Sequence, residues 1–200
     1  MNTYTISFAA SAPDWSALRR AALDCRLWGY PTDVTAYAQL AYDRDRLYVH
    51  LHADEHQQRA ENHGLLDQPC EDSCLEFFFR PVARDPRYLN IEMNPNRCLY
   101  FGIGTGRGDL TRLLLPGGAD QLHARVERSD EHWDLYYELP YSLLRLFFPD
   151  FTPSGTITGN FYHCGDLTFQ EHYLSWNPLT CPDPDFHRPE YFGQLQFEEK

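Results

Sequence analysis

Methionine, basic side chains and long apolar runs are scarce in this chain. Only two methionines occur in 200 residues, and no stretch approaches the roughly 20 apolar residues of a membrane-spanning helix. Lys and Arg total 17 against 29 Asp and Glu, a net charge of −12. With no basic patch to hold a polyanion, neither nucleic acid nor an anionic membrane is an expected partner. The N-terminus has no cationic stretch followed by an apolar run, so no secretory leader is read there. Six cysteines are too sparse for a disulfide scaffold and suit buried free thiols in a reducing compartment. A soluble cytoplasmic protein is the expectation, unless a leader was trimmed. No repeat, low-complexity tract or linker divides the chain, so residues 1–200 read as one domain. A chain of this size buries about 70% of its unfolded surface.

What is present is aromatic. With 13 Tyr, 13 Phe and 4 Trp, the composition favours strands over helical bundles. Thr3 to Phe8 alternates like a strand. Ser11 to Asp14 has a capping-box form with Pro13 in the first turn, and Trp15, Leu18 and Ala22 follow at helical spacing, which predicts a short N-terminal helix. Thr35 to Tyr42 and Arg46 to Ala53 read as a hairpin, with Leu47, Val49, Leu51 and Ala53 on the core side and Tyr48, His50 and His52 on the wet side. Asp54 to Pro69 is a polar connection, expected as a mobile surface loop. Cys74 to Arg80 is apolar on both faces and should be a central strand. Tyr88 to Asn94 pairs with Arg97 to Ile103, and the run from Gly104 to Gly118, with five glycines, reads as a long loop. A second hairpin joins Gln121–Arg128 to His132–Leu139, a turn or two of helix follows Pro140, and Thr156–Cys164 and Tyr191–Phe197 are the last strands. Together these predict an all-β, two-sheet antiparallel β-sandwich with one short N-terminal helix and long loops.

The last third has more unusual residues than core packing needs. It runs Asn160-Phe161-Tyr162-His163-Cys164-Gly165-Asp166, then His172 to Trp176, then Asp183-Pro184-Asp185-Phe186-His187-Arg188-Pro189-Glu190-Tyr191-Phe192-Gly193. Prolines and a glycine fix a backbone that carries aromatic faces beside carboxylates, imidazoles and a guanidinium. Such a loop suits a ligand with one apolar and one hydroxyl-rich face, as sugars have. The same residues also serve a loop that merely closes a barrel or sandwich.

With Glu71-Asp72-Ser73-Cys74-Leu75-Glu76-Phe77-Phe78, this signature resembles the carbohydrate-binding module family 9-like proteins of the DOMON-like β-sandwich group. The resemblance runs in order over residues 34 to 197. It implies a non-catalytic sugar-binding protein linked to polysaccharide or oligosaccharide utilisation, with a mono- or oligosaccharide as partner. Family members hold their ligand between two tryptophans, with polar side chains on adjacent strands. By the motifs, the tryptophan positions fall on Cys70 and Phe186, the family's glutamate on Glu76, its arginine on Glu92, its asparagine on Asn94, and its glutamine near His163. Cys70 removes one aromatic wall and Glu92 inverts a charge. Trp176 is a candidate replacement wall and also a candidate core residue. Arg188 is a candidate replacement cation and also a candidate ion-pair partner of Glu190 or Asp185.

Two other readings stay open. A glycoside hydrolase would use two carboxylates, for which Glu71, Asp72, Glu76 and Glu92 offer candidates. Some relatives of the fold bind haem through a Met and a His, positions that Met93 and His163 offer, although Met93 also shares the core periodicity of Leu89 and Ile91. A zinc site built on Cys70, Cys74 and Cys164 with His163 or Cys181 lacks close ligand spacing. Calcium, reported among the family, is left open. No cofactor is expected on the sugar-binding reading.

Overall fold

Alternating apolar residues set the strands of the computed structural model, which describes residues 1–199. They are β1 (Thr3–Phe8), the two-residue β2 (Ala21–Ala22) and β3 (Cys25–Arg26), then β4 (Thr35–Tyr42) and β5 (Arg46–Asp54). β6 (Cys74–Arg80), β7 (Tyr88–Met93), β8 (Leu99–Gly104) and the short β9 (Thr111–Arg112) form a meander. β10 (Arg125–Arg128) and β11 (His132–Pro140) precede the helix α1 (Tyr141–Phe147), and β12 (Thr156–Cys164), β13 (Tyr173–Ser175) and β14 (Gly193–Phe197) complete the chain.

The all-β class holds. The expected pair of separate antiparallel sheets does not describe the pairing, which is one curled ladder in the order β10-β11-β5-β4-β1-β14-β12-β6-β7-β8-β9. β1 joins its two halves and runs parallel to both neighbours, with Thr3 beside Gln194 and Ser7 beside Ala41. The N-terminal helix is also corrected. Trp15–Ala17 is a single 3₁₀ turn, in which Asp14 accepts the Ser16 N–H at 3.1 Å. Extension is pre-empted because Ala21 and Ala22 pair with β4 opposite Ala38 and Tyr37. The α-helix among the described residues is α1, after Pro140, as read from the sequence.

The main core fills the space between the two halves of the ladder. Leu40, Val49, Leu51, Trp133 and Leu135 on one side meet Phe77, Ile91, Phe161 and Leu195 on the other. A second cluster lies on the opposite face of β6, β7 and β12, where Cys74, Phe78, Tyr88, Tyr162 and Cys164 are covered by Phe186 and Phe192 of the C-terminal loop. β6 is thus buried on both faces, as its unbroken apolar run requires. The polar connection after β5 is tied down. Buried Glu55 accepts from Ser73 Oγ and Trp133 Nε1, and buried Asp72 accepts from the backbone N–H groups of Glu61 and Asn62. Asp72 and Ser73 of the E-D-S-C motif therefore anchor this connection to the start of β6.

Candidate functional site

A cleft of about 340 Å³ opens on the face of β6, β7, β8 and β12 that points away from the main core. Its floor follows from register. Tyr162 on β12 pairs with Glu76 on β6, Glu76 with Glu92 on β7, and Glu92 with Tyr100 on β8. Residues directly opposite in such ladders have Cβ atoms about 4.5–5.5 Å apart. The two carboxyls therefore lie side by side; Tyr100, next to Glu92, lines the cleft, whereas Tyr162, next to Glu76, is buried beneath Phe186. Cys70, in the 3₁₀ turn Pro69–Glu71, and Cys164 border one side of the floor.

The upper rim is made of loops. Phe186 stacks on Tyr162 at 4.2 Å and 11°, and Trp28 packs against Phe186 at 5.6 Å. Trp28 has a left-handed backbone (φ 54°), and its indole Nε1 donates to the Cys181 carbonyl at 2.8 Å, which fixes the ring over the cleft mouth. Tyr173 meets Trp28 edge-on at 5.3 Å. Arg107 reaches in from the glycine-rich loop and donates to Asp185 Oδ1 at 2.9 Å. Asp166 and His187 complete the polar lining, with the Tyr88 hydroxyl 2.9 Å from His187 Nδ1.

The electrostatics of the floor are dominated by burial. Desolvation, then the neighbouring Glu92, lifts the Glu76 carboxyl well above its usual range. Desolvation also lifts Glu92, to about 7, against the Asn90 amide that donates to its Oε1. Two buried carboxyls this close cannot both ionise cheaply, so near neutrality the pair holds a proton. One carboxyl then donates and accepts while its neighbour only accepts. Cys164, its thiol pushed up first by its hydrogen bond with Cys74 and then by burial, donates to Glu76 Oε1 at 3.0 Å. At the rim, burial works to raise Asp185, but Arg107 holds it below its ordinary value. Burial lowers His187 to about 4, keeping it neutral.

Of the residues selected from the sequence, Cys70, Glu76, Glu92 and Phe186 line this cleft together. The others lie elsewhere, each for a definite reason. Trp176 is in the main core, 5.6 Å from Phe161, with Gly193 packed against its ring. Asn94 is buried at the end of β7, donating to Asp72 and Asn62 and accepting from the Asn96 and Cys98 N–H groups. His163 has the opposite strand parity from Tyr162 and points inward, between Glu55 (3.2 Å) and His172 (2.8 Å). Arg188 is ion-paired with Asp185 at 2.9 Å and lies 3.7 Å from Glu190. Trp28, Tyr100, Arg107 and Tyr173 were missed. Trp28 and Gly29 follow a two-residue strand in left-handed backbone, a conformation that no periodicity in the sequence announces.

The residues proposed for haem do not fit it. Met93 and His163 flank Leu75 inside the main core, and both His163 nitrogens are engaged. The cysteine-based zinc set is not brought together as read either, since His163 points inward to Glu55 and His172 while Cys74 and Cys164 lie on the opposite face of their strands.

The family described as carbohydrate-binding family 9 matches residues 12–197. A solved structure of a candidate carbohydrate-binding protein from Bacteroides uniformis is 26% identical, covering 98% of this chain and 99% of its own, with a TM-score of 0.82. Two structures of a carbohydrate-binding module family 9 from Caldicellulosiruptor kristjanssonii, one with glucose and one with cellotriose, are 12% and 11% identical. Each covers 100% of this chain, with 97% and 95% of its own chain matched, at a TM-score of 0.65; at that identity the likeness concerns the fold. Among curated proteins none matches the chain.

Proposed function

Because the chain belongs to carbohydrate-binding family 9, we propose that it binds a neutral sugar, without catalysis, in the cleft above the Glu76–Glu92–Tyr100 row. The observation behind this reading is that row itself: two buried carboxyls directly opposite one another, with Tyr100 beside them and Phe186 and Trp28 above. Such a floor can accept from and donate to neighbouring hydroxyls at once, while rings cover the C–H faces. Trp28 extends the Phe186 wall, and Tyr100 beside Glu92 adds a second aromatic face, which offsets the ring lost at Cys70. Arg107 supplies the guanidinium that Glu92 displaced. With Glu76, Glu92, Asp166 and Asp185 around one Arg, the cleft disfavours anionic sugars.

Hydrolysis is less well supported. A glycosidase places its carboxyls on either side of the scissile bond. Here both belong to one floor and face the same side of a ligand. Service in oligosaccharide or polysaccharide utilisation, within a reducing cytoplasm, belongs to the same proposal and is supported by six free thiols.

Titration calorimetry with glucose, cellotriose and glucuronate tests it. The neutral sugars should bind and glucuronate should not. Trp28→Ala and Tyr100→Ala should each weaken binding by about tenfold or more, equivalent to about 1.4 kcal/mol, with a melting temperature near that of the parent. Equal affinity in both variants would remove the cleft from consideration.

A further inference from the structure

On the other half of the ladder, facing away from the main core, three side chains converge on one point. His50 and His52 are two apart on β5 and so share a face, and Asp134 on β11 pairs directly with His52. His50 Nε2 lies 2.7 Å and His52 Nδ1 2.8 Å from the same oxygen, Asp134 Oδ1, and the three ligand atoms lie within 4.8 Å of one another. We propose that His50 Nε2, His52 Nδ1 and the Asp134 carboxylate form a binding site for a divalent transition-metal ion of the zinc class, separate from the sugar cleft.

The outer hydrogen bonds point the lone pairs inward. Gln39, opposite His50 on β4, donates its amide to the Trp15 and Leu18 carbonyls, at 2.8 Å each. Its oxygen is therefore turned to His50 Nδ1, 2.8 Å away, which must carry the hydrogen. In the neutral ring Nε2 then holds a lone pair, directed at Asp134. His52 repeats the arrangement in mirror form. His52 lies between two carboxylates: its Nε2 faces Asp54 Oδ1 at 3.2 Å, itself held by the Thr35 hydroxyl at 2.7 Å, and in the tautomer that gives this outer carboxylate the hydrogen Nδ1 is free to ligate.

Two imidazole nitrogens and one carboxylate oxygen meet at this point; in the metal-free protein imidazole hydrogens bridge them, and a metal ion taking their place would release those protons. Histidine ligands of metals characteristically donate their other ring N–H to such an outer acceptor, which fixes tautomer and orientation. The ring planes are fixed as well: His50 stacks on Tyr136 at 4.3 Å and His52 on Tyr37 at 4.6 Å. Two His nitrogens and one carboxylate oxygen are a zinc-type donor set with a fourth position left for water or a ligand. Ligand atoms around tetrahedral zinc stand about 3.3 Å apart, so a small swing of the partly exposed Asp134 carboxylate makes room. The buried cluster of Glu55, His163 and His172 offers no such geometry, because its two imidazoles are hydrogen-bonded to each other.

The full chain should compete for Zn²⁺ against a chromophoric chelator, taking up about one equivalent, and Co²⁺ in its place should give the intense visible bands of low coordination number. His52→Ala and Asp134→Asn should lose binding by about 100-fold or more, whereas Asp54→Asn, which alters only an outer acceptor, should weaken it by about 10-fold. Far-UV circular dichroism and the melting temperature of each variant report that the fold is intact. A wild-type chain that takes up no Zn²⁺, or one whose uptake is unchanged in both His52→Ala and Asp134→Asn, overturns the proposal. Should a variant fail to fold, the Co²⁺ spectrum of the wild type decides: absence of the bands overturns the site.

Discussion

Glu92 has the clearest single-residue consequence. Its folded value of about 7 lies above the ordinary 4.5, chiefly through burial. Below about pH 4.5 the group is protonated in both folded and unfolded chains, and its contribution to stability is present in full. As pH rises toward 7 the unfolded chain releases the proton first, so stability falls and the loss is complete above that value. Glu76, raised in the same direction, adds to the trend. Glu92→Gln should therefore stabilise the protein at pH 8, on the order of 1–3 kcal/mol, and change little at pH 5, as read from melting temperatures across that range. An unaltered pH slope would refute the shared-proton floor. The family resemblance of the flanking motifs brought Glu76, Glu92, Cys70 and Phe186 forward, two of them on strands and two in a turn and a loop. Trp28 and Arg107 come from loops with no periodicity, so nothing in their neighbours' pattern pointed to the cleft.

At the scale of elements, period-two alternation was enough for most strands, including the two-faced burial of β6. It failed at Ser11–Ala22, where helical spacing lost to pairing of β2 with β4. Asn94 and Trp176 lie outside the cleft for a related reason. A sequence motif does not distinguish a side chain that meets ligand from one that caps a turn or fills a core. Gly193, at the start of β14, is explained only by packing: a Cβ there would lie 2.5 Å from Trp176 Cζ3 and 3.0 Å from the Asn2 carbonyl. Gly193→Ala should cost about 1–3 kcal/mol through overpacking. In urea titrations this would appear as a lower midpoint with an unchanged slope.

For the whole molecule, the order of strands was not legible. β1 lies beside β14 across nearly the full length of the sequence, and such distant pairing leaves no local signal. That junction also has a mechanical consequence. Thr3 lies beside Gln194 and Ile6 beside Phe197, so the chain enters at one end of this parallel pair and leaves at the other. Tension applied between residues 2 and 198 acts along both strands in opposite directions, loading their hydrogen bonds in shear, all together. Arg125 and Tyr136 instead face each other across the antiparallel β10–β11 pair, where tension would open bonds one after another. Single-molecule stretching should thus find a high rupture force through the termini and a low one through the second pair of handles. The parallel seam that closes the sheet acts as a clamp against extension.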